Sequence, residues 1–201
     1  MSDHAQNVRQ MFTHIAPHYD RLNRMMTFGI DILLRRESVR RLAPQSGQLI
    51  LDNGAGTGDL SFEVLRQSPK SRLVACDFTP QMVAFGRKRD TQEQISWVIA
   101  DAMNLPFAPQ VFDGAICGYL LRNVSGVDVA LSEHIRVLKK GGRMLSLDTT
   151  PPQDNWLKPF VTFYLRVVIP RLGSWFAGDP DAYTYLPQST EHFLKIGRAH
   201  V

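Results

Sequence analysis

The sequence contains little cysteine and no long uninterrupted apolar run. Cys76 and Cys117 each lie within a short apolar stretch, so we expect small core residues of a reducing compartment rather than a disulfide framework or a metal site. Residues 1–10 are polar and show no apolar segment of a secretory signal, which predicts a cytoplasmic location. Charged residues and prolines interrupt the most apolar stretch, 156–176, and this excludes a membrane-spanning helix there.

A large charge of one sign is absent as well. The formal net charge is +4 over 201 residues, and 44% hydrophobic with 21% charged residues is ordinary for one folded domain. The excess positive charge is concentrated within residues 20–41, where six arginines stand against three acidic residues. This basic region suits an anionic membrane surface or a nucleic acid, and a solvated helix face with no partner is the alternative interpretation.

Short apolar runs alternate with candidate helices through the middle of the chain. The runs predict buried strands, and the segments between them predict helices: strands over residues 48–52, 72–77, 96–101, 112–118 and 143–148, helices over residues 59–67, 81–89 and 127–139. Gly141 and Gly142 are expected to end the last helix. This alternation predicts an α/β fold with a doubly wound parallel sheet.

Segments before and after this core complete the predicted organisation of a single domain. Residues 1–42 look largely helical, with breaks at Pro17 and Gly29, and predict a cap over the ligand crevice. Residues 43–150 form the core. Residues 151–195 are rich in aromatic and aliphatic side chains and predict a substrate-side lid, which either lies on a membrane surface or packs on its own core.

The strongest local signal is the segment 49–59, in which a predicted strand runs into closely spaced glycines and a helix follows. Gly54, Gly56 and Gly58 alternate with other residues, unlike the G-x-G-x-x-G loop of dinucleotide folds. Asp52 precedes them, and its carboxylate repels a pyrophosphate but attracts, directly or through water, the cationic amino-acid end of S-adenosylmethionine. The loop therefore favours S-adenosylmethionine as the cofactor.

Two further carboxylates end the next two predicted strands. Asp77 follows the glycine loop by about twenty residues, the position from which an acid accepts hydrogen bonds from both ribose hydroxyls. Asp101 is placed to accept from the adenine amino group, while the backbone amide of Ala102 donates to a ring nitrogen. Any one of these carboxylates equally suits a helix cap, but three of them with a glycine loop favour adenosine binding.

Longer motifs carry a resemblance to a known family. Residues 52–59, 105–107, 112–113, 121–124 and 136–143 resemble the pattern of class I S-adenosylmethionine-dependent methyltransferases, whose fold is a Rossmann-like doubly wound sheet. More narrowly, Tyr19-Asp20 with Asn23, residues 26–29, Arg35-Arg36 and residues 121–124 resemble the demethylmenaquinone and ubiquinone C-methyltransferase family. The resemblance extends from residue 8 to about residue 193. It implies methyl transfer from S-adenosylmethionine to a ring carbon of a prenylated hydroquinone in quinone biosynthesis.

The resemblance also implies roles for single residues. In the cofactor site it implies Thr57, Asp77, Asp101, Ala102 and the backbone of Gly118, where relatives often carry serine or asparagine. Near the acceptor it implies three candidate catalytic residues, of which Arg122 stabilises a phenolate or a water-derived base: Arg122, Asn123 and Tyr19. The alternative is a purely structural role, in which Arg122 and Asn123 stabilise the loop after the fourth strand and Tyr19 packs within the cap. The sequence departs from the family pattern at residues 118–120 and 148–150, which border the expected acceptor pocket.

Partners and competing functions follow from the same features. We expect a prenylated quinol as substrate, transient contact with the inner face of the cell membrane, and no metal; the oligomeric state stays open. The stretch 156–176 lacks the interleaved basic residues of a nucleic-acid surface, which argues against RNA. Competing interpretations are a class I methyltransferase for another small molecule and a non-catalytic S-adenosylmethionine-binding module, and labelled methyl transfer to demethylmenaquinol distinguishes them.

The end of the chain departs from the family. Residues 183–194 still resemble it, and the family then continues through a helix and two more strands. Residues 196–201 read instead like the translation of a sequencing-library adapter. We therefore expect this tail to be an artefact and the last two strands of the usual sheet to be missing.

Overall fold

The computed structural model describes residues 3–152, 154–156, 158–169 and 171. The predictions made for residues 172–201, including the tail, lie outside the described residues. The described elements follow in chain order: α1 (Asp3–Ile15), α2 (Tyr19–Met26), α3 (Ile30–Leu42), β1 (Leu49–Asn53), α4 (Asp59–Gln67), β2 (Arg72–Asp77), α5 (Pro80–Arg89), β3 (Ile95–Ile99), β4 (Phe112–Gly118), α6 (Val127–Val137), β5 (Leu138–Leu147), α7 (Lys158–Phe163) and a π-helical segment (Tyr164–Val168). Among these helices, none combines the length and apolarity needed to cross a bilayer.

The described strands form one parallel sheet in the order β3-β2-β1-β4-β5. From β1 the chain first adds strands on one side, β2 and β3, and then on the other side, β4 and β5. Where the direction of addition changes, the connections at the carboxyl ends of the strands diverge and leave a crevice. Apolar residues of neighbouring positions point to opposite faces: Ile50 packs with α3 and α4, and Leu51 packs with α6. The predicted doubly wound α/β fold is confirmed.

The cap is helical as predicted, and its breaks coincide with Pro17 and Gly29. Gly29 has a φ of +77° and separates α2 from α3. Apolar side chains of α1 and α2, among them Ile15, Leu22 and Met26, pack with Met82 of α5. The cap is therefore seated on the carboxyl-end side of the sheet, above the crevice.

The start of β5 differs from the sequence prediction. The helix over 127–139 ends at Val137, and the strand expected from residue 143 begins at Leu138. Pairing with β4 skips from Leu138 to Arg143, so residues 139–142 bulge out of the ladder. Gly141, with a φ of +79°, permits this bulge, and the glycine pair that was interpreted as a helix stop in fact lies within the strand.

A cluster of arginines and carboxylates joins the cap to the core. Asp31 of α3 accepts hydrogen bonds from Arg24 and Arg35, and Asp59 at the start of α4 accepts 2.9 Å hydrogen bonds from Arg24 and Arg89. Asp20 of α2 accepts a 2.8 Å hydrogen bond from Arg89. We call these residues the cap–core ion cluster. Because it links α2, α3, α4 and the end of α5, it fixes the cap over the glycine loop.

Candidate active site

The glycine loop after β1 adopts backbone conformations that favour glycine. Gly54, Gly56 and Gly58 have φ values of +73°, +57° and +92°. The amides of Gly54 and Ala55 both donate to the carbonyl of Cys76 at 2.9 Å, which holds the loop against the end of β2. Because the three glycines have no side chain, the loop exposes its backbone atoms to the crevice at the carboxyl ends of the strands.

A cleft of about 810 Å³ opens at this edge of the sheet. Most of the residues predicted to bind the cofactor line it: Gly54, Gly56, Asp77, Asp101, Ala102 and Gly118. Phe78 and Met82 add apolar walls. We call this the first cleft. Its few polar groups in an apolar lining are typical of a small-molecule site.

Asp77 is the carboxylate most deeply held in the first cleft. Its two oxygens accept 2.8 Å hydrogen bonds from the backbone amides of Gly56 and Thr79. Burial raises the pKa of Asp77 above its ordinary value, and these two backbone hydrogen bonds lower it. The carboxylate is thereby fixed in orientation beside the glycine loop, and each oxygen keeps a lone pair for a ligand.

Asp101 and Ala102 lie on the turn that follows β3. One carboxylate oxygen of Asp101 accepts a 2.9 Å hydrogen bond from the amide of Met103, which closes this turn. The turn presents Asp101 and the buried Ala102 to the first cleft. Helix capping and ligand binding were the alternatives for Asp101, and here the carboxylate closes a turn while it lines the cleft.

Gly118 ends β4 and also lines the first cleft. A β-carbon at this position would lie 2.7 Å from Cδ1 of Leu60. The space that a serine or asparagine side chain needs is therefore occupied by α4, and only the backbone of Gly118 is available to a ligand.

Asp52 and Thr57 do not line the first cleft. Asp52 is 1% exposed and accepts a 2.7 Å hydrogen bond from Ser61 of α4, because alternate residues of β1 face alternate sides of the sheet. Burial raises the pKa of Asp52 to about 7, and the Ser61 hydrogen bonds lower it. Thr57 donates a 2.5 Å hydrogen bond to Asp20 and so connects the glycine loop to the cap.

A second cavity of about 960 Å³ lies between the cap and the residues after β5. One end is apolar and is lined by Met11, Phe12, Ile15, Leu22, Met26, Leu165 and Ile169. The other end is polar and is lined by Asn23, Asp31, Arg35, Arg122 and Thr149. The hydroxyl of Tyr164 donates a 2.6 Å hydrogen bond to the carbonyl of Met26, which holds the π-helical segment against the cap. We call this the second cavity.

The first cleft and the second cavity adjoin. Phe12, Tyr19 and Tyr119 line both of them. Phe12 and Tyr19 meet edge to face, with ring centroids 6.0 Å apart. Burial raises the pKa of Tyr19, whereas the nearby Arg35 and Arg122 lower it. Phe12, Tyr19 and Tyr119 thus form an aromatic partition where the two compartments meet.

The predicted catalytic residues fall on both sides of this partition. Arg122 lines the second cavity and donates hydrogen bonds to Asp148 at 2.9 Å and Thr149 at 2.7 Å. Asn123 lines the first cleft and donates to the carbonyl of Tyr119 at 2.7 Å. Arg122 therefore both pins the end of β5 and faces a cavity, so its two interpretations are compatible. Burial raises the pKa of Asp148, and Arg122 opposes that rise.

Sequence reasoning missed part of the second cavity. Arg35 was assigned to a basic surface region, but it is 6% exposed and paired with Asp31. This corrects the prediction of a surface cation, because a buried guanidinium with a carboxylate partner does not meet a membrane. The four-residue spacing of Asp31 and Arg35 on one helix was the available signal. Tyr119 was noted only as a departure from the family pattern.

Comparisons with known proteins agree with this geometry. The model of the ubiE/COQ5 methyltransferase family matches residues 1–197. The ubiquinone/menaquinone biosynthesis C-methyltransferase UbiE of Desulfotalea psychrophila is 42% identical over 186 residues, which are 92% of this chain and 76% of that protein. The demethylmenaquinone methyltransferase of Deinococcus radiodurans is 36% identical over 193 residues, 95% of this chain and 80% of that protein.

A solved structure shows the same fold at lower identity. It is described as an S-adenosyl-L-methionine-dependent methyltransferase of Methanococcus maripaludis and superposes with a TM-score of 0.62 at 18% identity, covering 87% of this chain and 80% of that one. The Rossmann-like assignment rests on this fold and on the order of the strands. By its match to the family model and to these relatives, the chain belongs to the ubiE/COQ5 methyltransferase family.

Proposed function

We propose that this chain transfers the methyl group of S-adenosylmethionine to a ring carbon of a prenylated hydroquinone in quinone biosynthesis. The observation that carries the proposal is the pair of adjoining compartments, which share Phe12, Tyr19 and Tyr119. A bimolecular methyl transfer needs two sites whose ligands meet, because alignment of the reacting atoms supplies much of the rate enhancement. The names of the relatives supply the substrate class.

The first cleft has the chemistry of a site for S-adenosylmethionine. Asp77 and Asp101 offer carboxylate oxygens to hydroxyl and amino donors, and the glycine loop offers backbone. These two carboxylates suit an adenosine, which dinucleotides contain as well. Asp52, the carboxylate that argued against a pyrophosphate, does not line the cleft, so the match to a methyltransferase family is what favours S-adenosylmethionine. Asp52 remains a candidate for water-mediated contact, and Thr57 for a role through the loop. When bound, the cofactor supplies an already activated methyl group.

The second cavity has the chemistry of a site for an amphipathic aromatic acceptor. Its apolar end suits a prenyl tail, and its polar end suits a hydroxylated ring. One buried donor among the lining residues, Nε of Arg122, has no hydrogen-bond partner among the described residues. Because an unsatisfied buried donor is costly, a ring oxygen is a ligand that would satisfy it. The predicted lid contributes Tyr164, Leu165 and Ile169 to this cavity.

Arg122 has the position to assist the chemistry. Loss of the proton from an acceptor hydroxyl moves electron density onto the ring carbon, and a nearby guanidinium stabilises the resulting phenolate. The ring carbon then forms the new carbon–carbon bond, the methyl–sulfur bond breaks with its electron pair remaining on sulfur, and the ring proton leaves to solvent. Asn123 and Tyr19 hold the partition beside which these atoms meet.

The first prediction concerns the acceptor. Purified protein with labelled S-adenosylmethionine is expected to methylate demethylmenaquinol or the corresponding polyprenyl benzoquinol on carbon, measured by mass spectrometry of the extracted quinone. Soluble phenols without a tail are expected to react at least tenfold more slowly, because they leave the apolar end of the second cavity unfilled. Transfer to a soluble small molecule alone would contradict the proposal, and binding without any transfer would favour a non-catalytic module.

The second prediction concerns the cofactor. Asp77→Asn is expected to weaken binding of S-adenosylhomocysteine about 10- to 100-fold in calorimetric titration, because hydrogen bonds to a charged acceptor are lost. Burial raises the pKa of Asp77, so in the unsubstituted protein affinity should fall on acidification at a pH above the ordinary carboxyl range. This pH dependence should disappear in Asp77→Asn. Asp113→Asn, which removes a carboxylate that bonds Lys139 at 2.7 Å outside the first cleft, is the matched control.

We further propose transient contact with an anionic membrane surface on the cytoplasmic side. A prenylated quinol resides in lipid, and the chain exposes large apolar side chains in the segment that precedes Tyr164. Trp156 and Phe160 are 77% and 68% exposed, and Phe28 stacks against Tyr164 with ring centroids 6.0 Å apart. Trp175 and Phe176, which the sequence suggested for this contact, lie outside the described residues.

The third prediction tests that contact. Replacing Trp156 and Phe160 by serine is expected to reduce sedimentation with phosphatidylglycerol vesicles severalfold, and to lower activity on a long-tailed quinol more than on a tail-free analogue. Binding of the unsubstituted protein should weaken with salt, since exposed charges are screened over about 8–10 Å. Ile135→Ser on α6, which removes a 72% exposed side chain elsewhere, is the control. Equal losses on both acceptors would reject the membrane contact.

A further inference from the structure

Tyr119 occupies the junction of the two compartments. It follows β4 directly and, with Phe12 and Tyr19, lines both the first cleft and the second cavity. It belongs to the stretch 118–120, in which the chain departs from the family pattern. A side chain at this point is within reach of whatever bridges the two compartments.

The backbone of Tyr119 is held in a conformation that a tyrosine rarely adopts. Its φ is +58°, in the left-handed region. Its amide donates a 2.6 Å hydrogen bond to the carbonyl of Leu147, and its carbonyl accepts a 2.7 Å hydrogen bond from Asn123. Such a conformation persists where the surroundings determine it, and it is common at functional sites. The hydrogen bond to β5 thereby helps to fix the backbone from which the tyrosine ring projects.

The ring of Tyr119 lies beside two guanidinium groups. The guanidinium carbons of Arg122 and Arg35 are 5.0 Å and 5.8 Å from the ring centroid. Among the described residues, none exchanges a hydrogen bond with the Tyr119 hydroxyl. Burial raises the pKa of this hydroxyl, while Arg35 and Arg122 lower it. At neutral pH it is therefore a protonated donor, close to two cations.

We propose that the Tyr119 hydroxyl is a specificity-determining contact of this chain, which donates a hydrogen bond to the acceptor oxygen that becomes the phenolate. This inference rests on the proposed function and adds a substrate contact to it. The donor and Arg122 together would stabilise charge on that oxygen, which lowers the pKa of the bound acceptor and fixes the ring against the partition. An acceptor molecule with no acidic hydroxyl would not be activated by this contact.

The test removes the hydroxyl alone. Tyr119→Phe keeps the ring, its contacts with the arginines and the backbone conformation. We expect kcat/KM on the prenylated quinol to fall about 10- to 100-fold, as for a hydrogen bond to a charged oxygen. The rising limb of the pH–kcat profile should move to higher pH, because the bound acceptor loses a group that favours its ionised form. The dissociation constant of S-adenosylhomocysteine should stay within twofold.

Tyr164→Phe is the matched control. It removes a second phenol that lines the same cavity, but one whose hydroxyl bonds the carbonyl of Met26. It should leave the pH profile in place. A Tyr119→Phe enzyme with an unmoved pH profile, or with weakened binding of S-adenosylhomocysteine, would overturn the assignment. Failure of the unsubstituted enzyme to methylate any prenylated quinol would instead overturn the proposed function, so the two failures are distinguishable.

Discussion

Two carboxylates largely removed from water, the buried Asp31 and the 10% exposed Asp59, impose the constraint on which the rest of the structure depends. A carboxylate removed from water must be paired with a cation or be protonated. Arg24, Arg35 and Arg89 provide the cations, and they come from the cap and from the core. Arg35 lowers the pKa of Asp59, opposing the effect of burial, so this carboxylate is charged at neutral pH. The cap is thus held in the position in which its charged side chains pair with those of the core.

Both compartments exist because the cap sits there. Tyr19 and Phe12 come from the cap, whereas Tyr119 comes from the end of β4, and together they form the partition. Thr57 of the glycine loop bonds Asp20 of the cap, so the glycine loop and the second cavity share one support. A substitution in the cap–core ion cluster should accordingly alter the shape of both compartments. In the proposed function, this arrangement would align the two ligands of a methyl transfer.

Much of the fold was predictable because buried parallel strands are continuous apolar runs, and four of the five strands fall within two residues of their predicted bounds. The bulge in β5 could not be predicted, since a pair of glycines is as compatible with the end of a helix as with a bulge in a strand. In the candidate site, Asp77 and Asp101 were predicted from their place at strand ends, and both line the first cleft. Asp52 was predicted in the same way, but its side chain faces Ser61 of α4, and the sequence motif alone does not give that direction. Arg35 was missed although its partner is local, because the four-residue spacing from Asp31 indicates a pair on one helix but not that the pair is buried.

The most direct test of this account is amide hydrogen exchange of the cap in Asp59→Asn. Asp59 bonds two arginines that hold the cap, so its neutral replacement is expected to speed exchange in α2 and α3 by at least tenfold while β1, β2 and β4 stay protected. Asp113→Asn, which removes a carboxylate that bonds Lys139 and the amide of Leu49 away from the cap, should leave exchange in the cap unchanged. Unaltered exchange of α2 and α3 in Asp59→Asn would contradict the claim that the cap–core ion cluster holds the cap over the two compartments.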